Sequence, residues 1–337
     1  MSKIACRHLW TIFGPSPESL GRMLDAGLSR TEILEQTGHV VAVRDVSFEV
    51  EEGEIFVVMG LSGSGKSTLV RCLSRLIEPT RGEVVVDGRN VIGLNTADLL
   101  HLRRHQMSMV FQRFGLFPHR RVLDNAAYGL EVQGLGRAER QAQAQGVLEM
   151  VGLGEWANHF PHELSGGMQQ RVGLARALAV NPAILLCDEP FSALDPLIRR
   201  EMQDELIRLQ KTLHKTIIFI THDFLEALKL GDRIAIMKDG EIVQVGTPQE
   251  IVAHPANSYV REFTKDVPRV KVLTAASIMQ PLATGRGNQT TVAADTTLEK
   301  LIPLMAHSDE PLAVVDEQGT AVGQVTRTAV LLALAES

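Results

Sequence analysis

The sequence has no apolar run near the ~18 residues that a membrane-crossing helix needs. Its first residues also lack the apolar core of a secretory leader. The chain is therefore expected to stay in the cytoplasm unless it docks on something that spans the membrane. Cysteine is scarce: Cys6, Cys72 and Cys187 lie far apart and form no C-x-x-C pair. That spacing argues against a disulfide framework or a cysteine-bound metal cluster and fits a reducing compartment. Basic excess is missing too, with 40 acidic against 34 basic side chains and a net charge of −6. A nucleic-acid binder usually carries a basic patch or stripe, so nucleic acid is not an expected partner. What is present is 45% apolar and 22% charged residues over 337 positions, the composition of a soluble globular protein of about two domains.

The densest signal is Gly60-Leu61-Ser62-Gly63-Ser64-Gly65-Lys66-Ser67-Thr68, which fits the phosphate-loop pattern G-x-x-x-x-G-K-[ST]. An apolar, β-forming segment, 54–59, precedes it and reads as a buried parallel strand. Leu69, Val70, Leu73 and Leu76 follow at helical spacing over 66–76. Strand, Gly-rich turn and helix together let backbone N–H groups curl around a phosphate at a helix start. Lys66 would hold the β- and γ-phosphates of a nucleoside triphosphate, and the Ser67 hydroxyl would ligate Mg²⁺.

Around this loop the pattern alternates. Strands are expected over 1–14, 39–50, 81–87, 183–187 and 216–220, with a final hairpin over 233–245 turning at Asp239-Gly240. Helices are expected over 168–180, 196–213 and 224–230. Residues 15–38 read as a helical insert with Leu20, Met23, Leu24, Leu28, Ile33 and Leu34 as its apolar positions. From about 98 to 162 the chain is richer in Arg, Gln and Ala and reads as a mainly helical subdomain. The expected fold is α/β, a mostly parallel sheet covered on both faces. A composition break near 268 gives two domains, 1–267 and 268–337.

Five further elements follow in order. Gln112, after an apolar strand, can touch Mg²⁺ or an attacking water. Leu164-Ser165-Gly166-Gly167-Met168-Gln169 offers an N-cap serine and two glycines at a helix start, a second phosphate half-site. Two half-sites in one chain are reconciled if two copies pair head to tail about a two-fold axis, each completing the other's site. Asp188 and Glu189 end a buried strand, the first suited to the Mg²⁺ shell and the second to a general base. Asp195 suits a helix N-cap. His222, at a strand end, would sense the γ-phosphate.

In this order these motifs resemble the ABC transporter ATPases over roughly residues 4–264. The resemblance implies a P-loop core with an inserted helical subdomain, and an ATP-sandwich homodimer that closes on two ATP and drives a membrane-spanning permease. It places Phe13 on the adenine, with the 15–38 insert as a departure from the pattern. Asp195 becomes a residue of dimer communication. Further stretches (20–38, 77–82, 195–199 and 246–251) resemble the glycine betaine/proline importer ATPases and their choline-type relatives. That likeness implies an indirect partner, a substrate-binding protein, and a peripheral position on the cytoplasmic face of the inner membrane. Residues 312–319 and 323–327 resemble one CBS motif, giving a small C-terminal α+β module. The aromatic stretch Phe114-Gly115-Leu116-Phe117-Pro118 is expected to receive a permease helix, or else to pack within the helical subdomain. Two other classes stay open: a soluble ABC ATPase outside transport, and a nucleotide-binding regulator without turnover.

Overall fold

The structure is a computed structural model that describes residues 2–17, 28–112, 115–282, 290–306, 310–316 and 318–335. Leu20, Met23 and Leu24 of the insert, and Phe114 of the aromatic stretch, lie outside the described residues. The chain divides into two compact units, 1–242 and 243–337.

In the first unit the elements run in chain order as β1 (Ile4–Phe13), α1 (Arg30–Thr37), β2 (Val40–Val50), β3 (Ile55–Met59), α2 (Lys66–Leu73), β4 (Arg81–Val86), β5 (Arg89–Asn90), α3 (Thr96–His105) and β6 (Met107–Val110). Then come α4 (Val122–Ala126), α5 (Tyr128–Gln133), α6 (Arg137–Met150), α7 (Gly166–Ala179), β7 (Ile184–Asp188), α8 (Pro196–Leu213), β8 (Thr216–Thr221), α9 (Phe224–Leu230), β9 (Arg233–Lys238) and β10 (Glu241–Gly246), the strand within which the division falls.

The strands form two sheets rather than one. The larger has the order β10-β9-β3-β8-β7-β6, with β3, β6, β7, β8 and β9 parallel. Every residue of β3, β7 and β8 is buried, which is why these segments read as continuous apolar runs. The other sheet, β2-β1-β4-β5, is antiparallel. Strand periodicity alone does not say which strands pair, so the sequence did not separate the two. The span 98–162 likewise is not helical throughout: it contains β6, whose four residues pair with β7 at the edge of the larger sheet.

Register then does the positioning. Met59 lies opposite Thr221, Asp188 opposite Ile220, and Val110 opposite Cys187. The phosphate loop, Gln112, Glu189 and His222 each follow one of these strands directly, so the carboxyl ends of four strands deliver them to one edge.

Helix starts are fixed locally. Asp195 caps α8 by accepting from the Leu197 and Ile198 amides at 3.1 Å each, with Pro196 at the first helical position. Ser165 caps α7 by accepting from the Met168 amide at 3.4 Å. The insert's described part, α1, is closed by a reciprocal box between Ser29 and Glu32 and ends at Gly38 in the left-handed region. Its Ile33 is fully buried against Ile12 and Val41, so α1 is docked on the antiparallel sheet.

The second unit holds α10 (Pro248–Ala253), α11 (Ser258–Thr264), α12 (Arg269–Val272), α13 (Ala275–Ile278), β11 (Thr291–Ala293), α14 (Leu298–Ala306), β12 (Leu312–Val315), β13 (Ala321–Val325) and α15 (Arg327–Ala335). β11 is parallel and β13 antiparallel to β12. Arg269 donates to the carbonyls of Val252 and Ala333 at 2.8 and 2.9 Å, tying the early helices of the unit to its last. Residues 243–267 thus belong to the C-terminal unit by contact, upstream of the composition break at 268.

Within the helical region, the side chain of Asn125 is completely buried. Its Oδ1 accepts from the Phe117 amide at 2.7 Å, and its Nδ2 faces the carbonyls of Phe117, Arg120 and Arg121 at 3.0–3.1 Å. One side-chain amide therefore meets four backbone groups of the 117–121 loop. Asn125→Ala removes the bonds to the Phe117 amide and the Arg120 carbonyl, while the Phe117 and Arg121 carbonyls keep backbone donors at 3.1 and 2.8 Å. It should cost about 2–4 kcal/mol, read from the shift in the urea midpoint. A midpoint unchanged in that variant would show that water replaces the amide.

Candidate nucleotide site

The phosphate loop wraps a buried cation. Lys66 is only 4% exposed, and its Nζ donates to the Gly60 and Leu61 carbonyls at 2.8 and 3.1 Å. Burial pushes its pKa down, while the charges of Glu189 and Asp188 pull it back up. Gly65 sits at φ 102°, and a Cβ there would overlap the Ala42 carbonyl, so only glycine permits this approach. In the same loop the buried Ser64 hydroxyl has no hydrogen-bond partner among the described residues.

Two carboxylates sit beside it. Asp188 accepts from Ser67 Oγ at 2.6 Å and from Arg71 Nη2 at 3.1 Å. Glu189, left-handed at φ 47°, faces Lys66 Nζ at 3.8 Å, Gln112 Nε2 at 3.4 Å and His222 Nδ1 at 3.1 Å. A non-glycine residue in that region is strained, and strain of this kind gathers where chemistry is done. A cavity of about 440 Å³ opens over the loop, and Phe13, Arg30, Gly63, Lys66, Gln112 and Glu189 are among the residues lining it. Phe13, the last residue of β1, is 45% exposed at its rim.

The expected residues fall into two groups. Phe13, the loop from Gly60 to Thr68, Gln112, Asp188, Glu189 and His222 converge at or beside this cavity. The stretch from Leu164 to Gln169 does not line it, and neither does Asp195. Ser165 and Gly166 are exposed. Gly167 has a packing reason of its own, since a Cβ there would overlap Cγ2 of Ile198 on α8. The sequence reading missed Arg71, although it lies four residues past Ser67 on the same helical face. It also missed Arg30, which carries no motif.

For Mg²⁺ the donor set fits. Ser67, Asp188 and Gln112 offer hard oxygens in the small number that a phosphate-bound ion requires. Among the described residues no cluster of three or more His, Cys, Asp or Glu side chains could hold a metal by itself. No helix there is long and apolar enough to cross a membrane.

A parallel sheet whose strand ends present a phosphate loop, a capped lysine and two acidic side chains defines a P-loop ATPase. The ABC transporter family model matches residues 43–192. The glycine betaine/carnitine transport ATP-binding protein GbuA of Listeria monocytogenes serotype 1/2a (strain 10403S) is 58% identical over 279 residues, 83% of this chain and 70% of that protein. The trimethylamine N-oxide transport system ATP-binding protein TmoW of Ruegeria pomeroyi (strain ATCC 700808 / DSM 15171 / DSS-3) is 50% identical over 97% of this chain and 96% of that protein. A dimeric post-hydrolysis structure of the ATP-binding cassette MJ0796, bound to ADP and Pi, superposes with a TM-score of 0.61 at 33% identity, over 72% of this chain and 98% of that one. The chain belongs to the ATP-binding proteins of ABC transporters, which hydrolyse ATP as part of a transport system.

A small cavity next to Glu189 is lined by His222, Asp223, Arg199 and Glu226. Burial pushes the Glu226 carboxyl up, against hydrogen bonds from Thr221 and Gln203, the latter at 2.9 Å. Its folded pKa therefore lies above the unfolded one. Its share of stability is present below the ordinary glutamate range and is lost as pH rises through the folded value. Glu226→Gln should melt higher than the parent at pH 8, by a margin that shrinks at pH 5. Equal margins at both pH values would remove ionisation as the cause.

Proposed function

We propose that this chain is the ATPase subunit of an importer for a quaternary-amine osmoprotectant such as glycine betaine. The observation that carries the catalytic part is the triple contact of Glu189 with Lys66, Gln112 and His222 at the mouth of the loop. In this reading Lys66 turns from the loop carbonyls to the β- and γ-phosphates of ATP, and Phe13 stacks on the adenine. Ser67, Asp188 and Gln112 hold Mg²⁺, which when bound offsets charge on the phosphate oxygens. Glu189 takes the proton of the attacking water, and His222 keeps its carboxylate aimed.

The exposed Ser165 and Gly166 supply the second half of the site to the ATP of a second copy, giving a two-fold homodimer with Asp195 beside the junction. The dimeric MJ0796 cassette supports that arrangement. The 114–118 stretch docks a permease helix: Phe117 is half-buried, with its ring edge-on against Tyr128 at 4.7 Å. The subunit then sits peripherally on the cytoplasmic face of the membrane, with a substrate-binding protein as a more distant partner. The tail, with its β11–α14–β12–β13–α15 order, is a single CBS-like module.

Solute identity comes from relatives, because an ATPase subunit does not touch the solute. GbuA supports glycine betaine or carnitine by its name. A second reading, trimethylamine N-oxide, is favoured by length: TmoW matches over 96% of itself, against 70% for GbuA. ATPase stimulation in the complex reconstituted with its permease and binding protein, by one solute and not the other, separates the two.

Glu189→Gln should bind ATP, accumulate as a closed dimer and hydrolyse about 10²–10⁴-fold more slowly. Near-parent turnover would take Glu189 out of the base role. Phe117→Glu should lose co-purification with the permease at least tenfold while keeping its melting point and ATP affinity. A fall in ATP affinity instead would place Phe117 in the folding of the subunit rather than in docking.

A further inference from the structure

The insert between β1 and β2 brings a cation to the nucleotide cavity from outside every recognised motif. Arg30, at the first turn of α1, donates through Nη1 to the Gly63 carbonyl at 2.9 Å and lines the cavity beside Lys66 and Phe13. Its position is held from several sides. Ile33, one turn further along α1, is fully buried against Ile12 and Val41. The Ser29–Glu32 box fixes the start of the helix, through contacts of 3.2 and 2.7 Å. Beyond its end, His39 Nε2 donates to the Pro15 carbonyl at 2.7 Å, tying the two ends of the insert together.

A guanidinium has five N–H donors, and the Gly63 contact uses one. Among the described residues no carboxylate pairs with Arg30. Lys66, which also lines the cavity, is already engaged by two loop carbonyls and faces Glu189. Among the described residues Arg30 is thus a positive group with donors left open, at the wall of the cavity over the phosphate loop. We infer that Arg30 is a nucleotide-binding residue, which moves some of its donors onto the phosphate chain when ATP enters. This rests on the cavity being the ATP site. The insert would then report nucleotide occupancy to the antiparallel sheet on which α1 is docked.

The test is equilibrium binding of a fluorescent ATP analogue and its ADP counterpart to the full chain, in the Glu189→Gln background to stop turnover. Arg30→Ala should weaken ATP affinity about tenfold, Arg30→Lys should recover part of it, and the melting point without nucleotide should stay within a degree. The salt dependence of binding should also become shallower in Arg30→Ala. Arg30→Gln is the deciding variant, because it can still donate to the Gly63 carbonyl but carries no charge. Parent-like ATP affinity in Arg30→Gln or Arg30→Ala would overturn the inference and leave Arg30 as a strut between insert and loop. Lys66→Ala is the control: retained affinity there would sink the assignment of the cavity, and the role of Arg30 with it.

Discussion

One constraint governs this molecule: an ammonium group sits almost fully buried where the chain turns from β3 into α2. Two loop carbonyls face Lys66 at hydrogen-bond distance and two carboxylates stand close by, which offsets part of what burial takes from its charged form. Burying a cation without such partners would be costly. The loop must therefore curl tightly enough for its own carbonyls to reach the ammonium. Gly65, pressed against the Ala42 carbonyl, makes that curl possible. The arrangement is self-consistent without nucleotide, and a triphosphate offers the same ammonium stronger acceptors.

The acidic side answers this cation through strand register. Asp188 is tied to α2 through both Ser67 and Arg71, so the end of β7 cannot shift relative to the loop without losing two charge-assisted or short contacts. Glu189 follows in a strained conformation, and its carbonyl is held by the Ser192 hydroxyl at 3.0 Å. Its carboxylate is left to three neighbours from three different elements. A group held by contacts of 3.1–3.8 Å is well placed to change partners when a substrate arrives.

Much of this was legible beforehand, and the reasons are local. The helix over 196–213 announces itself by Asp195, Pro196 and the spacing of Met202, Leu206 and Leu209, all of which act within a few residues of chain. The hairpin turn at Asp239-Gly240 follows from two residues that tolerate positive φ. Other features had no local signature. Nothing in 1–14, 39–50 or 81–87 says that these strands make a sheet of their own. Arg71 could have been found by helical spacing from Ser67, whereas Arg30 sits 33 residues before the carbonyl it touches. The passage from one compact unit to the next, at 242–243, falls inside β10 where the composition does not change.

The sequence by itself determined which groups are available and in what order: the loop from Gly60 to Thr68, a serine and two glycines before α7, two acidic residues after an apolar strand, and a histidine after the next. It could do so because each pattern is a short-range requirement of backbone geometry or helix capping. Which of these groups meet was decided only by tertiary structure. Parallel register gathered Gln112, Glu189 and His222 around Lys66 and left the Ser165 helix start outside the cavity, and the buried Ile33 held Arg30 at its wall. Proximity across tens of residues depends on which apolar faces pack together, and no short stretch of chain encodes that.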